Sequence, residues 1–237
     1  MKRTKAELCD IVRPVAHERG YVLDDAVFTR NKEFNLSWLL RDRNITVRIS
    51  DYVDEAPDEV VRQAAEICFD HISRRKPVYG DVFLSYMRSD EFVLLKRPTY
   101  VRRARNLTMS TVGQTRDLVD SVQRLLDTGL LRDSDIDNSV FTWTKTPNYT
   151  RMGYCSTMMK VVAVSSILDD ERYSDNVVDE VVYHECLHLR QGYRPFDRNP
   201  HDAAFRRQMK LFPGLDAAEA ELRAIPRPSR PRVRRSR

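Results

Sequence analysis

The run His184-Glu185-Cys186-Leu187-His188 constrains this chain more than any other feature. On a helix, histidines four residues apart project side by side from one face, about 5–6 Å apart. That arrangement lets two imidazoles bind one zinc ion. Glu185 points beside such an ion rather than at it, where it can take a proton from water. The flanks predict a helix from Asp175 to about Gln191, with N-cap candidates in Ser174, Asp175 and Asn176. Val177 and Val181 precede the two histidines on one stripe, so the core face runs into the metal face. Cys186 lies about 200° around the helix from both histidines. It shares a stripe with Val178, Val182 and Leu189 and reads as a packing residue, not a ligand.

The chain holds 5 histidines, and a third one, His201, follows soon after the pair. The long HExxHxxGxxH pattern would need glycine at 191 and histidine at 194; the chain has Gln191 and Arg194, which excludes it. His201 comes after a segment rich in turn formers (Gly192, Pro195, Asn199, Pro200) and opens a short helical pattern, HDAAFRRQM. Asp197 and Asp202 are alternative third ligands, because a carboxylate can also complete a zinc site. Asp202 could instead orient an imidazole.

A length of 237 residues suits one large domain or a domain with a smaller companion. Hydrophobic residues at 41% and charged residues at 32% give a globular composition. No apolar run approaches the roughly 18 residues that cross a bilayer, and no apolar segment follows the charged N-terminus, so neither a membrane protein nor a secretory signal is expected. Four cysteines lie far apart with no CxxC pair, which excludes a disulfide framework and a zinc ribbon. A reduced, cytoplasmic location is the expectation. Only 7 glycines argue against a glycine-rich phosphate loop.

Along the chain, residues 5–19 show a helical pattern that Pro14 kinks or breaks and Gly20 stops. Strand composition follows around Phe28, from Phe34 to Leu40 and from Ile45 to Ile49, with Arg41 to Asn44 as a hairpin loop. Pro57-Asp58-Glu59 opens a helix that runs to about Arg75. Residues 76–106 read as irregular, with Lys96, Arg97, Arg102, Arg103 and Arg105 around Tyr100; a solvated loop fits them better than a phosphate contact. A helix is expected over 114–131, strands over 139–145, 152–155 and 158–164, and a helix over Ala203 to Leu211. From Pro226 the chain is proline, arginine and serine, a composition that does not fold alone.

The charge is uneven. Six arginines and no acid fall within 225–237, which leaves 34 bases against 35 acids in the rest, a net of −1. The overall charge of +5 therefore belongs to the tail, and the body offers no general case for nucleic-acid binding. The tail itself could hold a nucleic acid or an acidic partner.

The pattern HExxH, a variable loop and then His-x-x-x-Phe (His201 to Phe205) resembles the SprT-like and YgjP-like, or Spartan-type, minimal zinc metallopeptidases. The upstream segments Arg151-Met152-Gly153-Tyr154-Cys155 and Val161-Val162-Ala163-Val164-Ser165, then Leu168, are similar to the two strands that lead into that family's metal helix. The resemblance covers about residues 107–212. It implies an α+β, zincin-like peptidase core with a small mixed sheet, one zinc ion on His184, His188 and His201, and Glu185 as catalytic base on a protein or peptide substrate. It also implies a layout of N-terminal α/β extension (1–106), peptidase core (107–224) and basic tail (225–237). The family's C-terminal zinc ribbon has no counterpart here. Tyr154, Tyr183 and Tyr193 are the candidates for steadying a transition state. The competing expectation is a nucleic-acid-associated protein with a structural zinc site, against which Glu185 speaks, since a structural site needs no base.

Overall fold

A computed structural model describes residues 2–196 and 199–226. Asp197 and the arginines of the tail lie outside the described residues. The architecture is α+β, with two small mixed three-stranded sheets. The chain divides into two compact units that meet in sequence at Ala104 and Arg105.

The first unit opens with helix α1 (Lys5–Glu18). Thr4 and Glu7 cap each other reciprocally, satisfying two of the free N–H groups that every helix start leaves. Pro14 does not break this helix. It stands on the exposed face, where water can take the carbonyl it frees, while Leu8, Val12 and Val15 are buried on the other side. Strands β1 (Val22–Thr29), β2 (Leu36–Arg41) and β3 (Asn44–Ser50) follow. β2 and β3 form the hairpin expected around residues 41–44, and β1 adds to β3 in parallel. Helix α2 (Asp58–Ile72) starts directly after Pro57, as the proline and the two acids of its first turn dictate.

Residues 76–106 depart from expectation. They form two helices, α3 (Asp81–Arg88) and α4 (Asp90–Arg103). Ser89 caps α4 by accepting from the Phe92 N–H at 3.2 Å. The buried stripe of α4 is Phe92, Lys96 and Tyr100, at a spacing of four. Lys96 is buried because its ammonium donates to Asp54 at 2.8 Å and Glu55 at 3.0 Å. A lysine within the stripe and Pro98 within the helix hid the periodicity. Of the basic cluster, Lys96 is paired with two acids and Arg103 is forked onto Asp51, while Tyr100 is buried, so these three offer no phosphate contact.

The second unit contains helices α5 (Leu118–Asp127) and α6 (Asp133–Ile136). It continues with strands β4 (Val140–Trp143), β5 (Gly153–Ser156) and β6 (Val161–Val164). β6 is central, parallel to β4 and antiparallel to β5. All four of its residues are buried, which fits a strand covered on both faces. β5 lies at the sheet edge.

Helix α7 (Asp175–Gln191) crosses this sheet and also packs against α5, α6, α8 (Ala203–Met209) and α9 (Leu215–Ala224). Its core side is Val177, Val178, Val181, Val182, Cys186 and Leu187. Gly192 ends it with φ +72°, a left-handed value that glycine takes at no steric cost. Ser174 precedes the helix, but its hydroxyl and N–H both donate to Glu221 of α9, at 2.8 and 2.7 Å. Two forked pairs lock α7 laterally: Arg124 of α5 on Asp179, and Arg190 on Asp135 of α6. Among the described residues no helix is long and apolar enough to cross a membrane, and none of the four cysteines is in a disulfide.

Candidate metal centre

The three histidines converge. His184 and His188 stand on adjacent turns of α7, with ring centres 5.2 Å apart. His201, just ahead of α8, brings its Nε2 to 3.1 Å from the Nε2 of each of them. A neutral imidazole carries one N–H, so three such nitrogens cannot satisfy each other by hydrogen bonding. Nitrogens bound to one zinc ion at about 2.0–2.1 Å stand somewhat over 3 Å apart, which matches this spacing. Among the described residues these three form a group able to hold a metal ion.

The surroundings keep His184 neutral and aim the rings. Burial pushes His184 down to about 3, with His188, His201 and Arg151 adding to the shift. It is therefore a neutral imidazole at pH 7, the form that binds metal. His188 Nδ1 lies 3.3 Å from the Gln191 side-chain oxygen, which assigns the proton to Nδ1 and leaves Nε2 for the site. Phe205 of α8 is buried beneath all three rings, at 4.9, 4.7 and 4.8 Å from His184, His188 and His201.

Asp202 is not one of the three converging groups. It caps α8, accepting from the Phe205 N–H at 2.9 Å, and pairs with Arg194 at 3.3 Å. It thus fixes the backbone between His201 and Phe205. Arg206 adds to this by donating to the His201 carbonyl at 2.7 Å. Helix α8 is docked on α7 through Gln208, whose carbonyl accepts from the Tyr183 hydroxyl at 3.0 Å and whose side chain accepts from Arg190 at 3.0 Å. Tyr183 is consumed in that role and does not face the site. Cys186 sits in the core, where burial holds it as the thiol, as its stripe implied.

Glu185 is only 6% exposed, yet it lines a cavity of about 310 Å³ together with the three histidines. Burial pushes its carboxyl up to about 8, with Arg151 acting in the opposite direction. β5 crosses directly over it. A Cβ on Gly153 would stand 2.8 Å from the Glu185 Oε1 and 2.7 Å from Val181. Only glycine allows that approach. Arg151, at the cavity rim, lies over the Tyr154 ring at 5.3 Å.

Sequence reasoning did not reach two lining residues. Leu222 belongs to α9, whose apolar residues other than Leu215 and Leu222 are small alanines that draw no clear stripe. Glu180 precedes His184 by one helical turn, and that spacing of four was the available signal that it shares the metal face. Comparisons of the chain with protein-family models, curated proteins and solved structures return no match.

Proposed function

We propose that this chain is a zinc-dependent peptidase with a zincin-like core, of the kind its SprT-like and YgjP-like motifs resemble. The observation that carries the reading is the convergence of His184, His188 and His201 beside a buried Glu185 that is not among the converging ligands. A zinc ion on these three imidazoles would acidify a water and polarise a carbonyl. Three ligands leave one position open, whereas structural zinc sites close all four with protein.

The residues of the chain supply the rest. Glu185 takes a proton from the attacking water and returns it to the departing amine. A carboxyl within reach of the water and the leaving amine can do both. Arg151 acts against burial and favours the ionised form of Glu185, the form that serves as base. β5 is an edge strand with Gly153 on the cavity, so an extended peptide can pair with it and carry its carbonyl past Glu185. The substrate class that fits is therefore an unfolded or extended polypeptide.

Glu185→Gln tests the reading. The variant should keep the zinc of the wild type and lose hydrolysis of an unfolded protein by a factor on the order of 10²–10⁴. Undiminished hydrolysis would contradict it and leave a structural zinc site as the better account.

A further inference from the structure

The site contains a second acid that the chemistry above does not use. Glu180 is 6% exposed and lines the same cavity as the histidines. No described residue hydrogen-bonds to its carboxyl, although a buried carboxylate without a partner is costly. The charged group that acts on it is Glu219 of α9, another acid, which itself pairs with Arg223. Arg151, the basic residue at the cavity, acts on Glu185 and His184 instead. The cavity is thus lined by a carboxyl that no described donor meets, together with the apolar side chains of Val181, Met152 and Leu222.

We infer that Glu180 is a specificity residue that receives the cationic end of a lysine or arginine side chain next to the scissile bond. The inference rests on the peptidase reading. His184 lies four positions on from Glu180 in the helix, about 6 Å along the axis. The four-carbon stem of lysine spans a similar length. Its methylenes would lie along Val181 and Leu222, and its ammonium would give Glu180 the donor it lacks. Pockets of this kind owe selectivity to a few placed polar groups in an apolar wall. An uncharged side chain of equal length would leave the acid buried and unpaired, which is how a polar site rejects an apolar analogue.

The test measures binding, not turnover. The full zinc-loaded chain is titrated calorimetrically with peptide hydroxamates that carry lysine or norleucine beside the chelating group. The side chain is placed on its N-terminal side in one pair and on its C-terminal side in the other. Lysine should bind about tenfold more tightly than norleucine in one placement, and Glu180→Gln should bring that ratio to about one. Equal or weaker binding of lysine in both placements would overturn the inference and leave the peptidase reading intact. So would a preference that survives in Glu180→Gln. Failure of every hydroxamate to bind would overturn the peptidase reading and this inference with it.

Discussion

His184 and His201 are seventeen residues apart in sequence, yet their Nε2 atoms stand 3.1 Å from one another. That closeness is built from the apolar side as much as the polar one. Asp202 caps α8, and Phe205 lies beneath all three rings.

Phe205 should therefore matter to the metal without touching it. Phe205→Ala removes a buried ring and should cost about 3–4 kcal/mol in unfolding free energy. It should also weaken zinc retention, because the rings lose the surface that orients them. Denaturant unfolding of the metal-free chain and zinc competition with a chelator check the two effects separately. A stability loss with unchanged zinc affinity would show that the rings are held by other contacts.

Gly153→Ala should uncouple chemistry from metal binding. The added methyl would meet Glu185 and Val181 at under 3 Å, so β5 or the carboxyl must shift. The expected result is wild-type zinc content with hydrolysis reduced at least tenfold. Unreduced hydrolysis would mean that the strand yields without moving Glu185.

Arg190 ties the end of α7 to α6 and α8 through Asp135 and Gln208. Asp135 is nearly buried in this pair, with its side chain 10% exposed, while the Arg190 side chain is 26% exposed. Asp135→Asn should cost about 2 kcal/mol, below the full value of a deeply buried pair because Arg190 keeps some water. Thermal unfolding of both chains measures it. Arg190 holds Asp135 below the usual carboxylate range, although burial acts the other way. The stabilisation is thus present above the unfolded value and disappears as pH falls through the lower, folded one.

Glu180 has the opposite sign. Burial, reinforced by Glu219, pushes it up to about 7 from 4.5. The folded chain keeps this proton when the unfolded chain has lost it, so stability falls as pH rises from about 4.5 to 7. Glu180→Gln removes that loss. The variant should match the metal-free wild type near pH 4.5 and exceed it by about 3 kcal/mol at pH 8, at 1.36 kcal/mol per pKa unit. Denaturant titrations at the two pH values give the difference. An equal margin at both would show that Glu180 does not titrate in this range.

What the sequence shows plainly is the metal helix. The bounds of α7 and the pair His184 and His188 follow from spacing, because a period of four on an apolar helix admits one geometry. His201 is a candidate third ligand alongside Asp197 and Asp202, and the family resemblance singles it out. The 41–44 hairpin and the helix after Pro57 were legible from turn and cap chemistry. The α3–α4 pair was not, because Lys96 occupies a core position that only Asp54 and Glu55, distant in sequence, make tolerable. Helix α9 was missed because its apolar residues other than Leu215 and Leu222 are small alanines; its Glu221 accepts from Ser174, which looked like a cap for α7. Glu180 reads as a surface acid until β5 and α9 close over it. In each case a partner remote in the chain decides the role of a residue whose neighbours say otherwise.

The most direct test is the zinc content per chain, by elemental analysis, of the wild type beside His201→Ala. The account predicts about one zinc ion in the wild type, as three converging imidazoles require, and much less than half of that in the variant. Wild-type protein that takes up no zinc on reconstitution, or a variant that keeps it in full, would contradict the three-histidine site.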